Sequence, residues 1–301
     1  MSVKKATIVI PAYNEIDCIR EMMEKFLEYE WLQDFDVIVV DDGSTDGTGE
    51  ELQRLREQRG GFSLISLGEN RGYGAAIKTG IVEAETEFVV ITDADNSYPN
   101  DCIPKLCDIA CNEGYDMVVG ARTGAPGYAE PVRGLAKWVL KKLSGFLAGR
   151  KIPDLNSGLR VFRKSVVEEH LNILCDHFSF TTTLTLVMLC DNFRVKYEPI
   201  TYYRRSGKSK IRPIQDTLGF LALIMTTICY FRPMKLLFPP AFVLLTAGVA
   251  LGTYQVITIH NITDVAMMLV QTGLLFSVLA LISDLIVKSR KVTHVRHLRN
   301  H

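Results

Sequence analysis

Two apolar runs towards the C-terminal end constrain this 301-residue chain more than any other feature. "LLFPPAFVLLTAGVALGTYQVI" (236–257) and "VAMMLVQTGLLFSVLALISDLIV" (265–287) are 22 and 23 residues long, and Asp284 is the one charge inside them. At 1.5 Å per residue, a helix of that length reaches roughly 30 Å, enough to cross a bilayer's hydrocarbon core. Asp284 lies near an end, where interfacial placement lowers its cost. The alternative, a pair of buried helices in a soluble core, fits poorly with so few polar interruptions. The connection "TIHNITD" is too short for a domain, so the two runs should form a hairpin. Arg232 and Lys235 precede it, Lys288, Arg290, Lys291, Arg296 and Arg299 follow it, and the loop has no Lys or Arg. The positive-inside rule then predicts that both outer ends, and the chain before them, are cytoplasmic. Segment 213–234 is apolar without being a clean third span and reads as helices lying on the membrane surface. The expected layout is a globular region over 1–210, interfacial helices over 211–235, a transmembrane hairpin over 236–287 and a basic cytoplasmic tail over 288–301.

Before residue 211 the character differs. "ATIVI", "FDVIVVD", "FSLISL", "EFVVITD" and "YDMVVGA" read as strands, separated by helix patterns at 16–29, 47–58, 73–84 and 101–113. Continuous apolar strands alternating with helices predict an α/β fold, a mostly parallel sheet with helices on both faces. Thirty-four basic residues balance 34 acidic ones, so composition makes no case for nucleic acid. The seven cysteines are odd in number and lack any C-x-x-C, which fits reduced thiols better than a disulfide framework or a zinc site. The opening "MSVKKATIVIPAYNE" turns polar too soon for a secretory signal.

The chemistry-bearing residues gather at strand ends. The first strand runs into "VIPAYNE", where Pro11 should stop it and leave Tyr13 and Glu15 on a loop able to stack on a base and accept from a base or ribose. The second ends in "VVDDGSTDGT": Ser44 or Asp46 can cap the next helix, and Asp41 and Asp42 exceed what capping needs. One of that pair could bond a base or ribose hydroxyl. "VVITDADNSYP" ends in Asp93 and Asp95, a D-x-D whose oxygens suit a hard divalent cation that takes its other ligands from phosphates and water. "NRGYGAAI" places Ile77 at the third glycine position of a dinucleotide fingerprint, and "SGKSK" has Tyr202 where a P-loop needs glycine. Both are decoys.

In order along residues 5–210, "VIPAYNE", "VVDDGSTDGT", "NRGYGAA", "DAD", "GAR", "NSGLRVFR" and "RRSGKSK" resemble the family 2 glycosyltransferases of GT-A fold, most closely the polyprenyl-phosphate sugar transferases such as dolichol-phosphate mannose synthase. The resemblance implies a membrane-anchored, inverting enzyme that moves one sugar from a GDP- or UDP-hexose to a dolichyl or undecaprenyl phosphate, with Mg²⁺ or Mn²⁺. It implies nucleotide-binding roles for Pro11, Tyr13, Glu15, Val40 and Asp42, matches Asp93, Ala94 and Asp95 to the D-x-D strip that meets the nucleotide, and makes Asp93 and Asp95 the metal ligands, Asp95 foremost. Arg122, Arg133, Arg204 and Lys210 match basic positions around the diphosphate and acceptor phosphate; Asp93, Asp95, Arg122 and Lys210 would form the catalytic set. Lys208, Lys210 and Arg212 would draw a lipid phosphate towards the metal.

Two departures shape the expectation. Ser97 stands where such enzymes often have a Gln-containing turn, and "FSFTTTLTLVM" (178–188) lacks the acid that many family members carry nearby as a base. A lipid phosphate is ionised at neutral pH and attacks without a base, whereas an alcohol acceptor needs one. If the acceptor were a glycolipid hydroxyl, Asp154 is the leftover candidate base. A non-catalytic membrane scaffold would be expected to have lost the D-x-D acids and the "RRSGKSK" run, and both are present. The threonines of 178–188 are expected to bond back to their own helix. Cys107 and Cys111 should be small core residues, and His294, His297 and His301 part of a basic tail near anionic lipid. Asn261-Ile262-Thr263 forms an N-glycosylation sequon in the hairpin loop.

Overall fold

The β-branched runs of the N-terminal half form strands where the sequence places them: β1 (Ala6–Ala12), β2 (Phe35–Asp41), β3 (Ser63–Ser66), β4 (Phe88–Ile91) and β5 (Met117–Thr123). The computed structural model describes residues 4–123, 145, 149, 152–177, 179–203, 225–226, 229–230 and 232–298, with side chains as far as 289. Two strands that the sequence did not announce, β6 (Arg160–Arg163) and β7 (Val195–Thr201), complete a seven-stranded sheet of order β3-β2-β1-β4-β6-β5-β7. Only β6 runs antiparallel to its neighbours. It is four residues long with an arginine at each end, and β7, an edge strand, is only half-buried, so neither carries a readable apolar run.

Helices α1 (Ile16–Leu27), α2 (Thr48–Arg59), α3 (Tyr73–Glu83) and α4 (Ile103–Glu113) match the expected spans to within two residues at each end. Two further helices follow β6 among the described residues: α5 (Lys164–Glu168) and α6 (Phe180–Cys190). Side chains of β1 alternate between two buried faces. Ile8 and Ile10 pack with Met22, Met23 and Phe26 of α1, Leu52 and Leu55 of α2, and Leu106 of α4. Val9 points the other way, towards α3, where a Cβ on Gly80 would come within 2.3 Å of its Cγ1. Cys107 belongs to the first of these cores, as expected. Cys111 does not; it falls off the buried stripe of α4 and is exposed.

Pro11 also departs from expectation. It lies inside β1, buried and in register with Val40, rather than ending the strand. Val9 accepts from Thr92 and Ala12 from Asp42, so odd residues of β1 bond towards β4 and even ones towards β2. The missing N–H of Pro11 therefore points beyond Val9↔Ile91, the last rung shared with β4, and no ladder bond is lost.

The chain divides into two units, Met1–Leu223 and Ile224–His301. The second contains α7 (Pro233–Ile259) and α8 (Asp264–Leu298), a hairpin closed by His260 in the left-handed conformation. Gln255 caps the turn, its Oε1 accepting from the Thr263 N–H and hydroxyl at 3.0 Å each. The two helices meet at small residues: a Cβ on Gly248 would lie 2.8 Å from Val270 Cγ2, and one on Gly273 2.7 Å from Leu245 Cγ. Asp284 is paired with Lys288 at 2.7 Å. Both helices are long and apolar enough to cross a membrane, and only 11% and 17% of their apolar windows are buried against protein, unlike the core helices of a soluble protein. Most of 211–231, and the side chains of His294, His297 and His301, lie outside the described residues.

Candidate active site

The C-terminal ends of β1, β2 and β4 lie side by side, and the loops leaving β1 and β2 are tied to each other by polar contacts. Asn14, held at φ 50°, donates from its N–H to Ser44 Oγ at 3.0 Å and accepts from Thr45 N–H through Oδ1 at 2.8 Å. Glu15 N–H donates to Thr48 Oγ1, and Asp46 accepts from Ile16 N–H and from Thr48. Asp46 thus serves the starts of both α1 and α2, whereas Ser44 bonds across to the first loop instead of capping. Tyr13 and Glu15 are half-buried on this cross-linked rim.

Asp41 and Asp42 are spent on the backbone. Asp42 accepts from the N–H groups of Arg71 and Gly72 at 2.8 and 2.9 Å, and Asp41 from Ser44 N–H at 3.1 Å. Both carboxylates are buried, with Val40 behind them. Asp42 thereby pins the loop that leads into α3.

The start of α3 explains the decoy glycines. Segment 175–177 lies directly against it, and a Cβ on Gly74 would come within 2.0 Å of the Cys175 carbonyl oxygen. Ala75 N–H donates to Asp176 O, and Lys78 Nζ donates to Leu174 O and Asp176 Oδ1, both at 2.6 Å. The protein's own carbonyls occupy the place where a dinucleotide phosphate would sit.

Asp93, half-buried, accepts from the Tyr73 hydroxyl at 2.8 Å. Asp95, buried, accepts through Oδ1 from both the N–H and the hydroxyl of Ser97. Ser97 therefore orients an acid. Ala94 is anchored to α1, its carbonyl accepting from Cys18 Sγ at 3.7 Å. Gly158 closes the far side: a Cβ there would fall 2.6 Å from Asp93 Oδ2. Its N–H donates to Tyr98 Oη at 2.6 Å. Burial, reinforced by the Asp93 charge, pushes the Tyr73 and Tyr98 phenols up, so both stay neutral. Two carboxylates two residues apart, each steered by a hydroxyl and one of them walled by a glycine backbone, fit a hard divalent cation. Among the described residues, no group of three His, Cys, Asp or Glu that could hold a metal is found.

Arg122 pairs with Asp154. Its Nε and Nη2 donate to the two carboxylate oxygens of Asp154 at 2.7 and 2.8 Å, its N–H adds a third bond, and its guanidinium stacks over Tyr202. Although burial opposes it, hydrogen bonding and charge from Arg122 hold the Asp154 carboxyl below the usual aspartate range. Both oxygens of the Asp154 carboxylate are thereby engaged. Sequence reasoning passed over Arg160, which is fully buried beneath this region. It donates to Ser157 O, Thr181 O and Thr185 Oγ1. Thr183 and Thr185 also bond back to Ser179 O and Thr181 O, and Thr182 reaches Asn156, so the threonine run is internal scaffolding. An arginine inside an apolar "LRVF" was the available signal. Arg133, Arg204 and Lys210 lie outside the described residues.

Comparison with known proteins places these features. The family model described as "Glycosyl transferase family 2" matches residues 7–171, and that described as "GtrB C-terminal hairpin" matches 232–288. An undecaprenyl-phosphate 4-deoxy-4-formamido-L-arabinose transferase of Serratia proteamaculans is 31% identical over 173 residues, covering 56% of this chain and 52% of that protein. A dolichol-phosphate mannosyltransferase of Pyrococcus furiosus is 28% identical over 214 residues, covering 69% and 59%. The chain thus spans little more than half the length of these relatives. Among solved structures, the mannosyltransferase PcManGT of Pyrobaculum calidifontis, in complex with GDP-Man and Mn²⁺, shares the fold at a TM-score of 0.51 and 19% identity, over 97% of this chain and 87% of that one. With its D-x-D strand end, its sheet and the match over more than half its length, the chain belongs to glycosyl transferase family 2.

Proposed function

We propose that this protein transfers a single sugar from a nucleotide-diphospho-sugar to a polyprenyl phosphate at a membrane surface. The observation that carries the reading is the convergence of Asp93 and Asp95 with the cross-linked loops of Tyr13 and Glu15 at one sheet edge. The relatives named above, which act on undecaprenyl and dolichol phosphates, support the acceptor class. The donor is a GDP- or UDP-hexose. In this reading Tyr13 stacks on the base, Glu15 accepts from the base or ribose, and Asp93 and Asp95 hold Mg²⁺ or Mn²⁺. Such an ion, when bound, would neutralise charge on the departing diphosphate.

The acceptor phosphate is already ionised, so no residue has to remove a proton from it. Catalysis then rests on holding the phosphate in line with the anomeric carbon and on fixed cations, a role for Arg133, Arg204 and Lys210. The engagement of Asp154 by Arg122 favours this over a glycolipid hydroxyl acceptor, which would need a base. The layout follows: a cytoplasmic catalytic region over 1–210, interfacial helices over 211–235 and a membrane hairpin over 236–287, anchored in the cell membrane by the basic flanks.

The full chain in nanodiscs, given a panel of labelled nucleotide sugars, polyprenyl phosphate and Mn²⁺ or Mg²⁺, should form an acid-labile lipid-linked sugar that disappears with chelator. Lack of transfer from every donor, or equal transfer to a polyprenol without phosphate, would refute the reading.

A further inference from the structure

Asp93 is gripped by a residue far from it in sequence. The Tyr73 hydroxyl donates to Asp93 Oδ1 at 2.8 Å from the first residue of α3, 20 positions upstream. Two constraints hold the phenol in place. Asp42 accepts from the N–H groups of Arg71 and Gly72 immediately before it. Segment 175–177 is seated on Gly72 and Gly74 on either side of it, where a Cβ would come within 2.5 and 2.0 Å of neighbouring atoms. The carboxylate meets the bare backbone of Gly158 on another side, so it is confined between a phenol and a wall. Asp95, by contrast, is oriented by its own turn through Ser97.

We propose that Tyr73 is a positioning residue of the cation site, fixing the Asp93 carboxylate so that it presents an oxygen to a divalent ion. The proposal rests on reading Asp93 and Asp95 as cation ligands. Residues that hydrogen-bond to ligating carboxylates typically contribute about ten- to a hundredfold in metal affinity.

The test measures Mn²⁺ binding to the full chain by electron paramagnetic resonance, with GDP and with UDP as probes. Wild-type protein should bind Mn²⁺ in the presence of a nucleotide. Tyr73→Phe, which removes only the hydroxyl, should weaken that binding by about ten- to a hundredfold. Its metal-free melting temperature should fall by no more than about 4 °C. In an Asp93→Asn background the same change should have no further effect on Mn²⁺ affinity, because the hydroxyl acts through that carboxylate. Wild-type protein without nucleotide-linked Mn²⁺ binding would sink the cation site itself, and the role of Tyr73 with it. Normal wild-type binding with Tyr73→Phe within twofold of it would overturn the Tyr73 role alone. A Tyr73→Phe chain that fails to fold, or melts markedly lower without metal, would assign the hydroxyl to the fold and overturn the proposal too.

Discussion

The guanidinium of Arg122 closes on the carboxylate of Asp154 through two parallel hydrogen bonds of 2.7 and 2.8 Å, joining the end of β5 to the segment that precedes β6. Paired forks of this kind are both strong and directional. The pair bridges the edge of the sheet beside Tyr98 and Tyr202, and it turns a residue that looked like a free acid into a strut.

Breaking that strut should cost stability without removing a base. Arg122→Ala and Asp154→Ala are each expected to destabilise the chain by about 2 kcal/mol, with strong non-additivity in the double variant. Because the Asp154 carboxyl is depressed when folded, its contribution is present above the ordinary value of 3.8 and is lost as pH falls through the folded value. Denaturation of wild type and Asp154→Asn at pH 7 and pH 3 should show the difference between them shrinking at the lower pH. Nucleotide binding should survive in Asp154→Asn; near-total loss of turnover with binding intact would instead favour a hydroxyl acceptor.

Gly158→Ala should disturb the cation site directly. The new methyl would lie 2.6 Å from Asp93 Oδ2, so the carboxylate must turn away. Mn²⁺-linked nucleotide binding, read by calorimetry, should fall by at least about tenfold. Binding within twofold of wild type would show that Asp93 has room to spare.

Arg160 is a buried cation whose donors go to Ser157 O, Thr181 O and Thr185 Oγ1. Replacing it by methionine keeps bulk, takes the arginine donors from Ser157 O and removes one donor each from Thr181 O and Thr185 Oγ1. Unsatisfied buried acceptors cost about 1–3 kcal/mol each, so Arg160→Met should lose roughly 3 kcal/mol or more in urea unfolding. Thr185→Val should lose a smaller share of the same network.

His170 bridges Val166 O and Asp191 Oδ2, at 2.8 and 3.1 Å. Burial opposes its charge, but the bonds to Asp191 and Val166 outweigh that and raise its pKa above 6.5. The folded state therefore holds the proton more tightly than the unfolded one. The stabilisation is full below pH 6.5 and fades as pH rises through the folded value. Wild type should exceed His170→Gln in stability by more at pH 6 than at pH 8; an unchanged difference would place the imidazole outside the linkage.

Much of the architecture could be read from local pattern. Continuous apolar, β-branched runs set β1 to β5, the helix patterns between them set α1 to α4, and two spans with a single charge set the hairpin. These are properties of neighbouring residues along one backbone, so a sequence displays them directly. β6 escaped because an arginine opens it and its partners come from distant strands.

Within the site, the sequence alone determined which residues stand at the strand ends: Tyr13 and Glu15 after β1, Asp41 and Asp42 at the end of β2, Asp93 and Asp95 beyond β4. Only the tertiary structure decided what each acid does. Asp42 serves backbone N–H groups 30 positions away, Asp154 is held by an arginine 32 positions before it, and Asp93 is steered by a phenol 20 positions upstream. A carboxylate's chemistry depends on who donates to it, and donors are brought together by the packing of the whole sheet, which no short stretch of sequence contains.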